Sequence, residues 1–134
     1  VCKDTLLMFV SSVLQEGYLD TVMEDIDIIS KLICSTDHKV LYPYCAEDRL
    51  QCMKGLICDI DLSILAENIE VFKNYRMAVR REYSDISDQQ WKHGSEIFAN
   101  YFVSVRDSIF SSNYFRSVYE EKAKENLKTI MEET

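Results

Sequence analysis

Residues 51–91 read QCMKGLICDIDLSILAENIEVFKNYRMAVRREYSDISDQQW. Apolar side chains recur in this stretch every three or four residues, as they do on one face of an α-helix. The letters SDQQ at residues 87–90 also fit an S-x-x-Q capping box, so a helix is expected to begin near Asp88. We therefore predict three helices from this stretch: 46–60, 63–81, and one that starts near Asp88.

The same spacing extends outward in both directions. It predicts helices at 4–15 and 19–33, a short corner helix that ends near Tyr42 and Pro43, and a last helix that opens at Ser111 or Ser112. Three glycines and one proline in 134 residues disfavour a turn-rich β fold. The predicted fold is all-α, with six to seven helices around one core in a single domain, residues 1–134.

The spacing also predicts which side chains face the core. The side chains expected to face inward on their helices include Met23, Ile29, Ile33, Ile60, Tyr75, Phe98, Val105, Val118 and Met131. Asp59 is expected on a solvated face or at a helix cap, and the charged tail 120–133 is expected to be solvated.

Charge and cysteine content restrict the partners. The formal net charge is −8, and the basic residues are dispersed among acids, so nucleic acid is not an expected partner. No run of eighteen apolar residues predicts a membrane span, and the segment that opens at Val1 is not expected to be a signal peptide. Five cysteines without paired spacing favour a reducing, cytoplasmic location and do not predict a metal site, although a redox-sensing role for Cys45 or Cys52 stays open.

The order of the predicted helices and several local segments resemble nematode-type globins. STDHKVLYPY (35–44) resembles the corner that ends with an aromatic residue packed on haem, and EDRLQCMKGL (47–56) resembles the start of the distal helix. AENIEVFKNYRMAVRR (66–81) looks like the proximal helix, and DISDQQWKHGSEIFANYF (85–102) looks like the helix after it. The resemblance covers nearly the whole chain and implies a globin-like bundle.

Residue by residue, the resemblance implies a ligand pocket. The distal position that contacts a bound gas falls on Gln51, and the corner aromatic falls on Tyr42. Ile28 falls where the second helix lines the distal side. The implied pocket consists of Ile28, Tyr42, Gln51, Met53, Ile57 and Phe72.

The proximal position, where a globin carries its iron-binding histidine, holds Arg81 or Tyr83, depending on the register. Arginine cannot lose its proton to bind iron, whereas a tyrosine phenolate can ligate haem iron. Tyr83 is therefore the first candidate haem ligand. His38 and His93 are expected to be structural or surface residues.

The sequence holds no motif of a hydrolase, a nucleotide-binding loop or a zinc protease. We therefore expect a binding or sensing domain rather than an enzyme, one that takes up an apolar small molecule or acts as a signalling module. A protein partner or a homodimer is a further expectation, with Tyr114 or Tyr119 on the shared face. The alternative is a haem-binding, oxygen- or gas-binding globin with an unusual proximal ligand.

A second alternative comes from another class. AENIEVF (66–72) resembles a segment of regulator-of-G-protein-signalling domains, which are also all-helical and bind Gα subunits. The downstream segment SEIFANYFV (95–103) is shifted by about three residues relative to that pattern. A Bcl-2-like bundle is a weaker resemblance, because its NWGR signature does not occur in the chain.

Overall fold

A computed structural model describes Met8 and residues 19–38, 41–42 and 47–132. All regular structure in these ranges is helical, which confirms the all-α prediction. The α-helices, numbered in chain order, are α1 (Leu19–Ser35), α2 (Arg49–Leu62), α3 (Ile69–Glu82), α4 (Asp88–Asn100) and α5 (Asn113–Glu132). A 3₁₀-helix, Ser63–Ala66, precedes α3, and a π-helix, Tyr101–Val105, follows α4.

Two of the predicted helices can be compared with the structure only in part. The predicted helix 4–15 lies outside the described residues except for Met8, and residues 39–40 of the corner before Pro43 lie outside them as well. Tyr42 itself is described and is not helical. Five α-helices are therefore seen in the described ranges, and the predicted total of six to seven stays a prediction, as does the globin-like arrangement.

The chain divides into two compact units, Val1–Cys58 and Asp59–Thr134. Helix α2 begins in the first unit and ends in the second. In the first unit, Ile26 of α1 is buried, and so is Cys58. The Cys58 thiol donates a hydrogen bond to the carbonyl oxygen of Ser35 over 3.2 Å, which ties α2 to the end of α1.

Short polar side chains set the helix starts. Asp48 accepts the Gln51 amide at the start of α2 (3.0 Å). The capping box predicted for α4 is present, since Ser87 accepts the Gln90 amide and the Gln90 side chain accepts the Ser87 amide.

The last helix also begins where the sequence predicts. The Ser112 hydroxyl accepts the Phe115 amide over 3.3 Å at the start of α5, as the prediction of Ser111 or Ser112 requires.

The predicted helix 63–81 is interrupted, which corrects the prediction. A 3₁₀ turn ends at Ala66, and the extended backbone of Glu67 follows it. Asn68 then caps α3 by accepting the Glu70 amide (2.9 Å), so a new α-helix starts after the break. The side chain of Asn126 donates to the carbonyl oxygens of Leu65 and Glu67, each over 2.8 Å, and so satisfies carbonyls that the break leaves without helical partners.

The second unit has the larger described core. Buried side chains from the end of α2, the 3₁₀-helix, the three later helices and the segment before α5 pack into one cluster. They are Leu62, Leu65, Phe72, Ala99, Phe102, Ile109, Phe110, Ala123, Leu127 and Ile130.

Several inward predictions are wrong. Six of these side chains are between 37% and 44% exposed, namely Met23, Ile29, Ile33, Tyr75, Phe98 and Met131, and three more are over half exposed. Ile60 is 52% exposed, because α2 carries apolar residues on all sides and its buried face is the one with Cys58 and Leu62. Val105 is 64% exposed, since the π-helical turn adds a residue and rotates this position away from the core. Val118 is 52% exposed, because it lies opposite the buried stripe of α5.

Candidate functional site

The predicted pocket residues of the first unit lie on α1, on α2 and before α2. Ile28 is 37% exposed on α1. Tyr42, Gln51, Met53 and Ile57 are each half-buried. None of the five belongs to the fully covered core, so each keeps part of its side chain open to solvent.

Helix α2 divides its candidate residues between two faces. Met53 and Ile57 are four residues apart and share one face, whereas Gln51 is two residues from Met53 and lies on another. Gln51 shares its face with the buried Cys58. Lys54 borders the Met53–Ile57 face, because it is three residues from Ile57. We call the surface formed by Met53, Ile57, Lys54 and Tyr42 the α2 face.

Tyr42 supplies the polar edge of the α2 face. The Lys54 ammonium lies over the Tyr42 ring, 5.4 Å from its centroid. Burial raises the pKa of the Tyr42 phenol above its ordinary value of 10.0, and the electrostatic influence of Cys58 and Asp37 raises it further. The phenol therefore stays neutral at physiological pH and adds no negative charge beside Lys54.

Two predicted residues lie in the second unit. Phe72 is fully buried in its core. Tyr83 follows the last residue of α3, is 52% exposed, and lies with its ring centroid 6.2 Å from that of Trp91. Arg80 donates to the Tyr83 carbonyl oxygen (2.6 Å), so the backbone at Tyr83 is fixed while its side chain remains accessible.

The residues suggested for a dimer face differ in exposure. Tyr114 is 65% exposed on the first turn of α5. Tyr119 is half-buried, and its ring packs 5.3 Å from the ring of Phe115. Tyr119 therefore contributes mainly to packing inside the second unit.

A buried pair of carboxylates, which the sequence reading placed elsewhere, organises the segment before α5. Asp59 is fully buried, and its two oxygens accept the amides of Ser111 (2.5 Å) and Ser112 (2.8 Å). Glu120 is buried as well and accepts the amides of Ile109 (2.9 Å) and Phe110 (3.3 Å). Four consecutive backbone amides are thus held by two carboxylates, which we call the carboxylate clamp.

The clamp corrects two expectations. Glu120 belongs to the tail that was expected to be solvated, but it is buried because it satisfies buried amides and pairs with Lys124 (3.1 Å). The burial of Glu120 could have been predicted from the sequence. Glu120 lies three residues before Ala123 and seven before Leu127, so it falls on the buried stripe of α5. Asp59 was expected on a solvated face or at a helix cap, and it does cap backbone amides. The amides belong to Ser111 and Ser112, which are distant in sequence, so the spacing of residues along α2 could not predict this contact.

Comparison with protein-family models, curated proteins and solved structures finds no match to this chain. Among the residues that the structure describes, no group of three or more histidine, cysteine or acidic side chains is arranged to hold a metal ion. Within the same ranges, no helix has both the length and the apolar character needed to cross a membrane.

Proposed function

We propose that the chain is a non-enzymatic binding domain with a globin-like helical scaffold, and that its α2 face takes up a long-chain carboxylate such as a fatty acid. The observation that carries the proposal is the position of Lys54. Its ammonium lies 5.4 Å from the Tyr42 ring centroid, and its backbone lies between those of the half-buried Met53 and Ile57 on α2. An apolar face with one cation at its edge matches an apolar chain with one anionic end.

The buried acids support a binding role rather than catalysis. Asp59 and Glu120 are the fully or nearly fully buried carboxylates of the described ranges, and the oxygens of both accept backbone amides. A carboxylate engaged in this way stabilises the fold and is poorly placed to exchange protons with a substrate.

The alternative function is haem binding at Tyr83 in the second unit, not at the α2 face. The accessible phenol of Tyr83 supports this alternative, since a phenolate can ligate ferric haem iron. Haem carries propionates as well as an apolar ring, so haemin is the second probe for the same protein.

The proposal is tested by titrating the purified protein with palmitate in a calorimeter. We expect saturable one-to-one binding, and about tenfold weaker binding for Lys54→Met, which removes the charge but keeps the length of the side chain. The matched control is Lys73→Met, which removes an exposed lysine of α3 in the second unit and should leave the affinity unchanged.

Three outcomes decide between the occupants. Equal affinities for the Lys54 and Lys73 variants would contradict the assignment of the carboxylate to Lys54. Non-saturable uptake of palmitate would contradict a specific site. A sharp Soret band with haemin that is lost in Tyr83→Phe would instead support the haem-binding alternative.

A further inference from the structure

The side of helix α4 that points away from the core carries no aspartate, glutamate, lysine or arginine. Ala99 is buried, as is Phe102 in the π-helix that follows, and these two residues mark the inner side. At 3.6 residues per turn, the opposite side is centred on Ile97, which is 57% exposed. This side, which we call the α4 face, consists of Gln90, His93, Gly94, Ile97, Asn100 and Tyr101. Charged residues usually cover the outer side of a surface helix, so the α4 face departs from the common pattern.

The π-helix extends the α4 face by one apolar residue. Because its hydrogen bonds run from each residue to the fifth one along, a π-helix has more than four residues per turn. Val105, four residues after Tyr101, therefore lies on the same side as Tyr101. Val105 is 64% exposed, so the apolar surface that begins at Ile97 continues beyond the end of α4.

Gly94 leaves a gap in the α4 face beside Ile97. It lies inside the helix, where glycine is less favourable than alanine. Packing within the described part of the chain does not require this glycine, since a Cβ built there would meet no described atom within 4 Å. Its backbone does not require it either, because its φ is not positive. The bare backbone at Gly94 is therefore open to close approach by another helix.

Charge identifies a second copy of this chain as the occupant of the α4 face. The formal net charge is −8, so two copies repel each other where their acidic sides meet. The exposed sides of the other helices of the second unit carry such acids, for example Glu70 on α3 and Glu121 on α5. The α4 face brings no like charges together, and the cores of protein interfaces are depleted in charged residues. A basic partner, by contrast, would find no carboxylate on it.

We propose that the α4 face is a dimer interface at which two copies of the chain pack their α4 helices antiparallel. In a two-fold antiparallel pair, Ile97 of each copy lies opposite Gly94 of the other, so each large side chain fills the gap in the other copy. A parallel pair would place Ile97 against Ile97 and would leave the two gaps facing each other. Antiparallel packing also brings opposite ends of the two helix dipoles together. The proposal is independent of the ligand proposed for the α2 face.

Sedimentation velocity of the whole chain, from micromolar to millimolar concentration, tests the proposal. We expect a reversible monomer–dimer equilibrium for the wild type. Ile97→Lys places two lysines about one helix turn apart at the centre of the interface, and should weaken the dimer at least about tenfold. The matched control is Val118→Lys on α5, because Val118 is 52% exposed and the net charge changes by the same amount. The control should leave the dissociation constant unchanged.

A second variant tests the close approach at Gly94. Gly94→Leu fills the gap with a side chain that helices accept, so it should keep the fold and weaken the dimer about tenfold. Nonspecific association through apolar side chains would instead become stronger. In a mixed sample of isotope-labelled and unlabelled copies, we expect intermolecular NOEs from the Ile97 methyl groups of one copy to the Gly94 α-protons of the other.

Several results would overturn the proposal. A wild type that stays monomeric at every concentration would do so, and so would equal weakening by the two lysine substitutions. A dimer lost only in Val118→Lys would place the interface on α5 instead. Unchanged or stronger association of Gly94→Leu, or NOEs that join Ile97 of one copy to Ile97 of the other, would contradict the antiparallel packing.

Discussion

At the scale of single residues, the two buried carboxylates of the second unit need hydrogen-bond donors around them. A buried charge is stable only when hydrogen bonds replace the water it has lost. Asp59 meets this requirement with the amides of Ser111 and Ser112. Because all three groups are buried or half-buried, neither the acid nor the amides can turn to solvent when the contact is broken.

Replacing Asp59 by asparagine should therefore destabilise the protein by about 3 kcal/mol. The amide nitrogen of the new side chain is a donor and cannot accept the second backbone amide. The measurement is urea unfolding of Asp59→Asn beside Asp85→Asn, which alters an exposed acid of the second unit and should cost less than about 0.5 kcal/mol. Similar losses for both variants would contradict the assigned role of Asp59.

The raised pKa of Tyr42 predicts that the stability of the protein depends on pH in the alkaline range. Its folded-state pKa lies above the ordinary value of 10.0, chiefly because of burial. As the pH rises above 10.0, the unfolded chain releases the phenol proton while the folded chain still holds it, so the free energy of unfolding falls. Tyr42→Phe should flatten this alkaline loss of stability, as measured by urea unfolding at several pH values. An unchanged slope would show that Tyr42 does not titrate differently in the two states.

At the scale of elements, local signals predicted the starts of α4 and α5, but they did not predict the break before α3 or which helix faces are buried. The capping box at Ser87 and Gln90 is encoded within four residues, so the start of α4 was predictable. The π-helix after α4 has no such signature, and it displaced Val105 from its predicted place. The buried face of α2 depends on partners far away in sequence, such as Ser111 for Asp59, which spacing along one helix cannot reveal.

A substitution at Gly94 tests how much the backbone of helix α4 contributes to stability. It lies within the helix, is exposed, and a Cβ built on it would meet nothing within 4 Å. Gly94→Ala should therefore raise the stability by about 0.5–1 kcal/mol, because alanine loses less backbone freedom on folding. Thermal unfolding measures the change, and Ala78→Gly at an exposed position of α3 should show the opposite sign. A loss of stability in Gly94→Ala would reveal a contact at that position.

At the scale of the whole molecule, composition and periodicity were enough to predict that the regular structure of the described residues is helical. They were not enough to predict which residues meet. Of the predicted pocket, Met53 and Ile57 share a face, Gln51 lies on another, and Phe72 belongs to the core of the second unit. Lys54, on which the proposed function depends, was missed because an isolated lysine on a helix carries no signal until its neighbour Tyr42 is placed.

The five methionines provide site-resolved probes for the central claim, since Met53 lies on the α2 face while Met77 and Met131 are exposed in the second unit. The decisive measurement is an NMR titration of methyl-labelled protein with palmitate, followed by intermolecular NOEs. The account predicts a saturable shift of the Met53 methyl, NOEs from the palmitate chain to Met53 and Ile57, and no shift at Met77 or Met131. Shifts at Met77 and Met131 as large as the one at Met53, or NOEs that avoid Met53 and Ile57, would contradict it.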